Sequence, residues 1–425
     1  MWEQIRANQR KSVVVVLAMA LLLGALGFFI GMAFFTAPSH PVYAEYPGHG
    51  PRTPQMDFTG GFLGLTIAMA VWFFMTLISY FAGANILLAA SGARQIQKED
   101  HPQLFNVVEE MSIAAGLPKM PDVYVMDDMA VNAFATGRDP RHAAVTVTAG
   151  LLGKLNRDQL QGVIAHEVGH IYNRDILFMQ MLGVMAGSIV IIADTFTRSL
   201  WYSGGRRRSG RSSSEGGGGQ GQAIMMVIAV VLAILAPILA QIIFLVASRR
   251  REYLADAQAA VFTRYPEGLA SALEVISRDP VELSSVNRVT APMYITNPLK
   301  GMSVAGLFST HPPTEERIHI LRNMGGNATF AEYQRAAQSV GESGALPVAA
   351  LVGDKTVPIR GAHPDAVAAQ DVRQQTRQVG DMLRAANHFT FVTCSCGVRM
   401  KIPPNFTQSQ VQCPRCHATL AVPSN

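Results

Sequence analysis

The sequence predicts a mainly α-helical membrane protein, with about four membrane-associated helices, an α+β domain interrupted by two of them, and a small C-terminal domain built on cysteines. Three observations predict it. Charged residues make up 15% of the 425, against roughly 25% in soluble proteins, while hydrophobic content is an ordinary 49%. Four long stretches hold no charge at all. All four cysteines fall after residue 390, in two close pairs. This composition excludes a disordered or collagen-like chain, and so few clustered cysteines exclude a disulfide-stapled secreted fold.

In order along the chain, residues 13–35 and 62–84 are apolar runs long enough to cross a hydrocarbon core about 30 Å thick at about 1.5 Å per residue. Arg6, Arg10 and Lys11 precede the first run, and Val42-Tyr43-Ala44 resembles a signal cleavage site. A signal core spans only roughly 7–15 residues, so an uncleaved anchor is expected. Three basic residues before the first run, against Arg52 alone in the loop 36–61, place the N-terminus in the cytoplasm, with everything from about Ala93 onward. Residues 176–193 are shorter and carry Gln180, with Asp194 at the edge. Residues 223–248 are apolar apart from Gln241, and Pro237 should kink them. Five arginines lie between these two segments, against the positive-inside rule if both cross, so a full crossing and a shallow hairpin both stay open. Either way both flanks face the same side. Residues 203–222 read as a flexible Gly/Ser/Arg tether with incidental contact to anionic lipid. Residues 198–222 hold five Arg against one Glu, so most of the net charge of +5 belongs to this one loop beside a membrane.

Residues 156–172 open with a helix-start signal. Asn156 can cap, Gln159 follows three residues on, and Leu160, Val163, Ile164 and Ile171 recur at helical spacing. On this helix lies His166-Glu167-Val168-Gly169-His170. One turn separates the histidines, so both imidazoles project from one face and can reach one tetrahedral ion. Glu167 stands beside them, where a carboxylate can take a proton from an activated water. A chance match on an amphipathic helix is the alternative for a lone motif. The motif is not alone. A catalytic zinc takes three protein ligands, and with residues 176–248 taken out as a hairpin, Glu252 lies only about nine positions past His170. Asp256, one turn beyond Glu252, is placed to accept the outer N–H of a ligand histidine; for Glu252 and Asp256 alike the plain alternative is a surface pair with the neighbouring arginines. Upstream, residues 121–126 and 143–148 alternate like strands. Between them Asn132, Ala133, Phe134 and Ala135 form either an edge strand that holds a substrate backbone by strand addition or a plain interior strand.

Five stretches together resemble HtpX-type membrane metalloproteases, a family related to the CAAX prenyl endoproteases. They are His166 to His170, the strand at 132–137, Thr148-Ala149-Gly150-Leu151-Leu152, Arg251-Glu252-Tyr253-Leu254-Ala255-Asp256, and Ser309-Thr310-His311-Pro312-Pro313 with Arg317-Ile318. The likeness spans about residues 1–325. It implies an integral-membrane zinc endopeptidase of a bacterial inner or plasma membrane, with a gluzincin-like cytoplasmic domain that cleaves misfolded or damaged membrane proteins. By matching position it makes His166, His170 and Glu252 the ligands of a catalytic zinc, Glu167 the catalytic base and Asp256 the carboxylate behind a ligand. His311 falls in a His-Pro element near the site, with transition-state stabilisation or gating as its role. A prenyl-protein processor is the rival within proteolysis, but four apolar segments are few to enclose a lipidated tail. A catalytically silent scaffold would not need Glu167.

Beyond that likeness, Cys394-Ser395-Cys396 and Cys413-Pro414-Arg415-Cys416 form two close thiol pairs of the kind a tetrahedral structural zinc requires, with Gly397 and Pro414 suited to the turns. In the predicted cytosolic setting two disulfides are disfavoured. A closed site of this kind serves contact with a protein partner more than chemistry, and Arg399, Lys401 and Arg415 are too few for nucleic acid. The expected domains are a membrane anchor at 1–92, a metalloprotease domain at 93–325 interrupted by the hairpin 176–248, a linker at 326–388 with a polar helix near 365–386, and a zinc ribbon at 389–425. Expected partners are polypeptide substrates, above all membrane proteins, and the lipid bilayer.

Overall fold

The computed structural model describes residues 2–35, 58–204, 219–281, 312–342, 344–351, 356–363 and 372–423. In chain order the elements run α1 (Trp2–Phe35), α2 (Thr59–Ala90), β1 (Arg94–Gln95), α3 (Pro102–Ala115), β2 (Asp122–Met126), β3 (Ala133–Asp139), β4 (His142–Thr148), α4 (Ala149–Lys154) and α5 (Arg157–Tyr172). They continue with α6 (Asp175–Gly204), α7 (Gly219–Thr263), α8 (Pro266–Arg278), α9 (Thr314–Arg322), α10 (Phe330–Ser339) and α11 (Val372–Ala386). Strands β5 (Thr390–Thr393), β6 (Arg399–Ile402), β7 (Gln410–Gln412) and β8 (Thr419–Ala421) close the chain. Two compact units result. One takes in the described parts of Met1–Ala84 and Asn173–Arg251; the other takes in those of Asn85–Tyr172, Glu252–Lys300 and Pro312–Asn425.

The first unit is helical. Val13–Phe35, Thr59–Ala90, Asp175–Trp201 and Ala223–Thr263 are long and apolar enough to cross a membrane. Lipid tails are as apolar as leucine, so such helices hold together by close packing instead of by hydrophobic drive. Met19, Leu23 and Leu26 of α1 accordingly meet Phe178, Leu182 and Met185 of α6 and a small-residue face of α7 formed by Ala229, Ala233, Ala236 and Ala240. Where α1 and α2 cross, a Cβ on Gly64 would lie 2.2 Å from the Gly27 carbonyl oxygen and 2.7 Å from the Gly31 Cα. Phe62, Phe74 and Phe81 of α2 stay exposed, the surface a lipid solvent calls for. α6 runs well past residue 193, where the apolar segment ends. Arg198 donates to Asp194 one turn away at 2.8 Å, so the charges continue the helix instead of closing it. α7 likewise continues through Pro237. Most of the loop 36–61 and of the tether 203–222 lies outside the described residues.

The second unit holds a four-stranded sheet in the order β1-β2-β4-β3. β2 and β4, the two alternating stretches of the sequence, pair in parallel with Tyr124 opposite Thr146, and β3 pairs antiparallel to β4 with Phe134 opposite Thr146. α5 packs on β3 and β4 and is flanked by α3 and α8. Gly162 admits α8, because a Cβ there would stand 2.5 Å from the Leu269 amide nitrogen. The stretch 326–388, expected as linker, is folded where it is described. α10 buries Tyr333, Gln334, Ala336 and Ala337, and α11, the expected polar helix, packs on α4 with Val379, Met382 and Leu383 buried. Gln334 hides the pattern in α10: it is buried because its side-chain oxygen accepts from the Leu346 amide at 2.8 Å. At the C-terminus β5 pairs with β6 and β7 with β8, two hairpins that each carry one cysteine pair at the turn.

Candidate metal centre

α5 begins where the sequence places it. Asn156 Oδ1 accepts from the Gln159 amide at 2.9 Å, and Gln159 Oε1 accepts from the Asn156 amide at 3.0 Å, a reciprocal box that satisfies two helix-end donors. Further along the same helix the Nε2 atoms of His166 and His170 stand 3.2 Å apart. From α7, Glu252 places Oε2 3.6 Å from His166 Nε2 and Oε1 3.3 Å from His170 Nε2. One turn on, Asp256 Oδ1 is 2.9 Å from His166 Nδ1. A proton on Nδ1 donated to Asp256 leaves the His166 Nε2 lone pair facing His170 and Glu252. Tetrahedral zinc with bonds of about 2.0–2.1 Å needs its ligand atoms about 3.4 Å apart, so this donor set fits the ion.

The field in the pocket agrees. Burial pushes the His166 imidazole down, but its hydrogen bonds to Asp256 and Glu252 outweigh burial and hold its pKa above the ordinary histidine value. Glu167 lies on α5 between the two histidines and is buried. The His170 side chain is 16% exposed against 1% for His166, so solvent reaches the cluster on the His170 side.

Arg317 of α9 completes the charge pattern. It has no exposed surface, and it donates to Asp256 Oδ2 through Nε at 2.8 Å and to Oδ1 through Nη2 at 2.7 Å. Its Nη1 lies 3.6 Å from Glu252 Oε2. Burial disfavours the guanidinium charge, but Asp256, with help from Glu252, holds it above the ordinary arginine range. Beside it Tyr253 donates to Glu316, and the fully buried Tyr333 hydroxyl is raised well above its usual value by burial and by Asp256. Arg317 shows no sign of this role in its local sequence. Its carboxylate partner is 61 positions away, and an arginine in the polar run TEERIHILR reads as solvent-facing.

Other expected residues fall out differently. β3 is an edge strand by topology, yet Asn132, Ala133, Phe134 and Ala135 are all buried. Phe134 packs with Leu87, Met126 and Ala130, and Asn132 Oδ1 accepts from the Ala133 amide at 3.0 Å, so these two side chains serve core and turn. His311 lies outside the described residues. In the C-terminal hairpins Cys394 Sγ and Cys416 Sγ are 3.4 Å apart and Cys396 Sγ and Cys413 Sγ 3.5 Å, with all four cysteines free and their sulfur atoms within 4.8 Å of one another. Bonds of about 2.3 Å to a tetrahedral zinc set sulfur atoms about 3.8 Å apart, so this group fits the ion too. Gly397, at φ +85°, closes the tight Cys-Ser-Cys turn. The backbone N–H groups of Cys416 and Arg415 hold the Cys413 thiol down at about 6.

A protein-family model described as Peptidase family M48 matches residues 98–325, which contain both ligand histidine candidates, Glu252, Asp256 and Arg317. The chain belongs to peptidase family M48. A protease HtpX homologue of Dictyoglomus thermophilum is 43% identical over 324 residues, 76% of this chain and 95% of that protein. One from Dictyoglomus turgidum is 47% identical over 268 residues, 63% and 84% of the two chains. The crystal structure of S. mikatae Ste24p overlaps 62% of this chain and 58% of its own at 20% identity, with a TM-score of 0.37, too slight to bear on the fold. With four helices fit to cross a membrane, this M48 peptidase is a membrane metalloendopeptidase. The cysteine hairpins and α11 lie beyond the matched residues.

Proposed function

We propose that the chain is a zinc endopeptidase that cleaves misfolded or damaged membrane proteins on the cytoplasmic side of a bacterial membrane, with His166, His170 and Glu252 holding the zinc and Glu167 acting as general base. The observation that carries the reading is the convergence of His166 Nε2, His170 Nε2 and the Glu252 carboxylate at 3.2–3.6 Å. When bound, zinc supplies a lowered pKa for water and polarisation of the scissile carbonyl. The chain's own residues do the rest. Glu167 takes the proton from the attacking water, holds it through the tetrahedral stage and returns it to the leaving amine nitrogen. Asp256 fixes the His166 ring and its tautomer, and Arg317 fixes Asp256. The cytoplasmic placement rests on the Lys/Arg distribution around residues 13–35. The four cysteines hold a second, structural zinc that shapes a ribbon for contact with a protein partner.

The test uses the full chain in detergent micelles with an unfolded membrane-protein substrate. Glu167→Gln should retain the catalytic zinc and lose cleavage by a factor of about 10²–10⁴. Unchanged turnover overturns the reading.

A further inference from the structure

The two helices that carry the proposed ligands share no sequence, and something must set their register. α5 brings His166 and His170, whereas α7 brings Glu252 and ends at Thr263. The backbone reverses just after α7: Arg264 takes a positive φ of 55°, and Tyr265 caps α8. Against this corner runs a strap of chain from beyond the matched family residues. Ala328 donates to the Val357 carbonyl at 2.8 Å and Ile359 to the Gly326 carbonyl at 3.1 Å, so 326–328 and 357–359 form a short bridge. Arg264 donates through Nε and Nη2 to the Pro358 carbonyl at 3.2 and 3.0 Å. The strap delivers one side chain to the gap between the ligand helices.

That side chain is Arg360. Its Nη2 donates to Asp158 Oδ1 at 2.8 Å and to Gln161 Oε1 at 2.6 Å, both in the opening turns of α5. Its Nε donates to the Thr263 carbonyl at 3.0 Å, at the last residue of α7. The Arg360 backbone amide donates to the Arg264 carbonyl at 2.8 Å, and its guanidinium lies over the Tyr265 ring at 4.9 Å. Asp158, only 4% exposed, takes a further bond on Oδ2 from the His363 amide at 2.7 Å. A planar guanidinium can bind acceptors on two helices at once, which an ammonium on a flexible stem cannot do in fixed geometry. We infer that Arg360 is a positioning residue for the metal centre: it bolts the start of the helix bearing His166 and His170 to the end of the helix bearing Glu252. This inference rests on the reading of those three residues as zinc ligands.

Arg360 meets α5 at Asp158 and Gln161 and α7 at Thr263, about five to eleven residues along the helices from His166 and Glu252, so it acts through the helices. A displacement of about 1 Å at a reacting centre can lower a rate by about 10²-fold, and loss of outer partners lowers metal affinity or activity by about 10–100-fold. Arg360→Ala in the full chain should therefore lower kcat on an unstructured peptide about tenfold, leave KM within about twofold, and speed zinc release to a chelator about tenfold. The relevant release phase is the one missing from His170→Ala, which separates it from release by the cysteines. Arg360→Lys, which keeps charge but not the planar fork, should recover only part of the loss. Hydrogen exchange at 157–166 and 252–263 should rise in both variants while β2 and β4 stay protected. A general loss of protection, with KM and kcat shifted together, would show a merely structural brace and overturn the proposal. Zinc release and kcat within twofold of the parent would overturn it as well. Should Arg360→Ala not fold, Gln161→Ala removes one acceptor on α5 and is read by the same release phase. If Glu167→Gln retained full turnover, the peptidase reading would fall, but metal release and exchange would still decide the role of Arg360.

Discussion

Arg317→Met offers a sharp test of how the site is held. The guanidinium is fully buried and makes two hydrogen bonds to Asp256 at 2.7 and 2.8 Å, with Glu252 3.6 Å from its third nitrogen. Methionine is close in length and removes the charge without leaving a large void. Asp256 and Glu252 would then lose their buried guanidinium partner, and breaking a buried pair from one side costs about 3–5 kcal/mol. In a domain of this size 1 kcal/mol moves the thermal midpoint by about 2–4 °C, so a fall of about 6–20 °C is expected. The sign of the metal dependence follows from charge. A bound divalent ion answers the same carboxylates, so the fall should be larger in chelator than in excess zinc. Arg317→Lys should lie between the parent and Arg317→Met, because it restores charge but only one of the two bonds. The assay is the melting of the full chain in detergent, with and without chelator. A midpoint for Arg317→Met within about 2 °C of the parent in chelator would refute the argument, as would a lysine variant no better than methionine.

Two further outcomes follow from the rest of the molecule. Gly64→Ala places a methyl 2.2 Å from the Gly27 carbonyl oxygen, so α1 and α2 must separate; overpacking of this kind costs about 1–3 kcal/mol, and a melting curve identical to the parent would show that the helices do not meet there. Cys413→Ser should unfold 389–423 and expose β5 to β8 to proteolysis while cleavage of a short peptide persists; abolished peptide cleavage would make the ribbon part of the catalytic unit.

What could be read in the sequence was what local geometry dictates. The Asn156 and Gln159 box, the one-turn spacing of His166 and His170, and the one-turn step from Glu252 to Asp256 are all relations within a single helix, where residue type and period suffice. Glu252 was reachable across a long insertion because the intervening residues include two apolar helices that return the chain. The Cys-Ser-Cys pair was legible because Gly397 supplies the backbone its tight turn needs. The charge-free run ends at 193, but α6 continues past it because Asp194 and Arg198 satisfy each other on its surface. Within 326–388, α10 carries no sustained periodic signal because its buried residues include glutamine and tyrosine, whose burial depends on partners no periodicity reveals.

Arg317 and Arg360 show why the remainder was out of reach. Each meets its carboxylate across a long separation, 61 positions for Asp256 and 202 for Asp158, and neither arginine differs in its local sequence from one on a solvated face. Yet these two decide the charge and register of the site, while the legible residues decide only its donors. Arg317 donates twice to Asp256 and stands 3.6 Å from Glu252, so it offsets carboxylate charge behind the ligand set, and without it that offset falls to the bound ion. A donor triad on two helices is therefore insufficient as a description of this centre: the arginine on α9 sets the charge that the donors present, and for that reason its loss should weaken the fold most when the metal is absent.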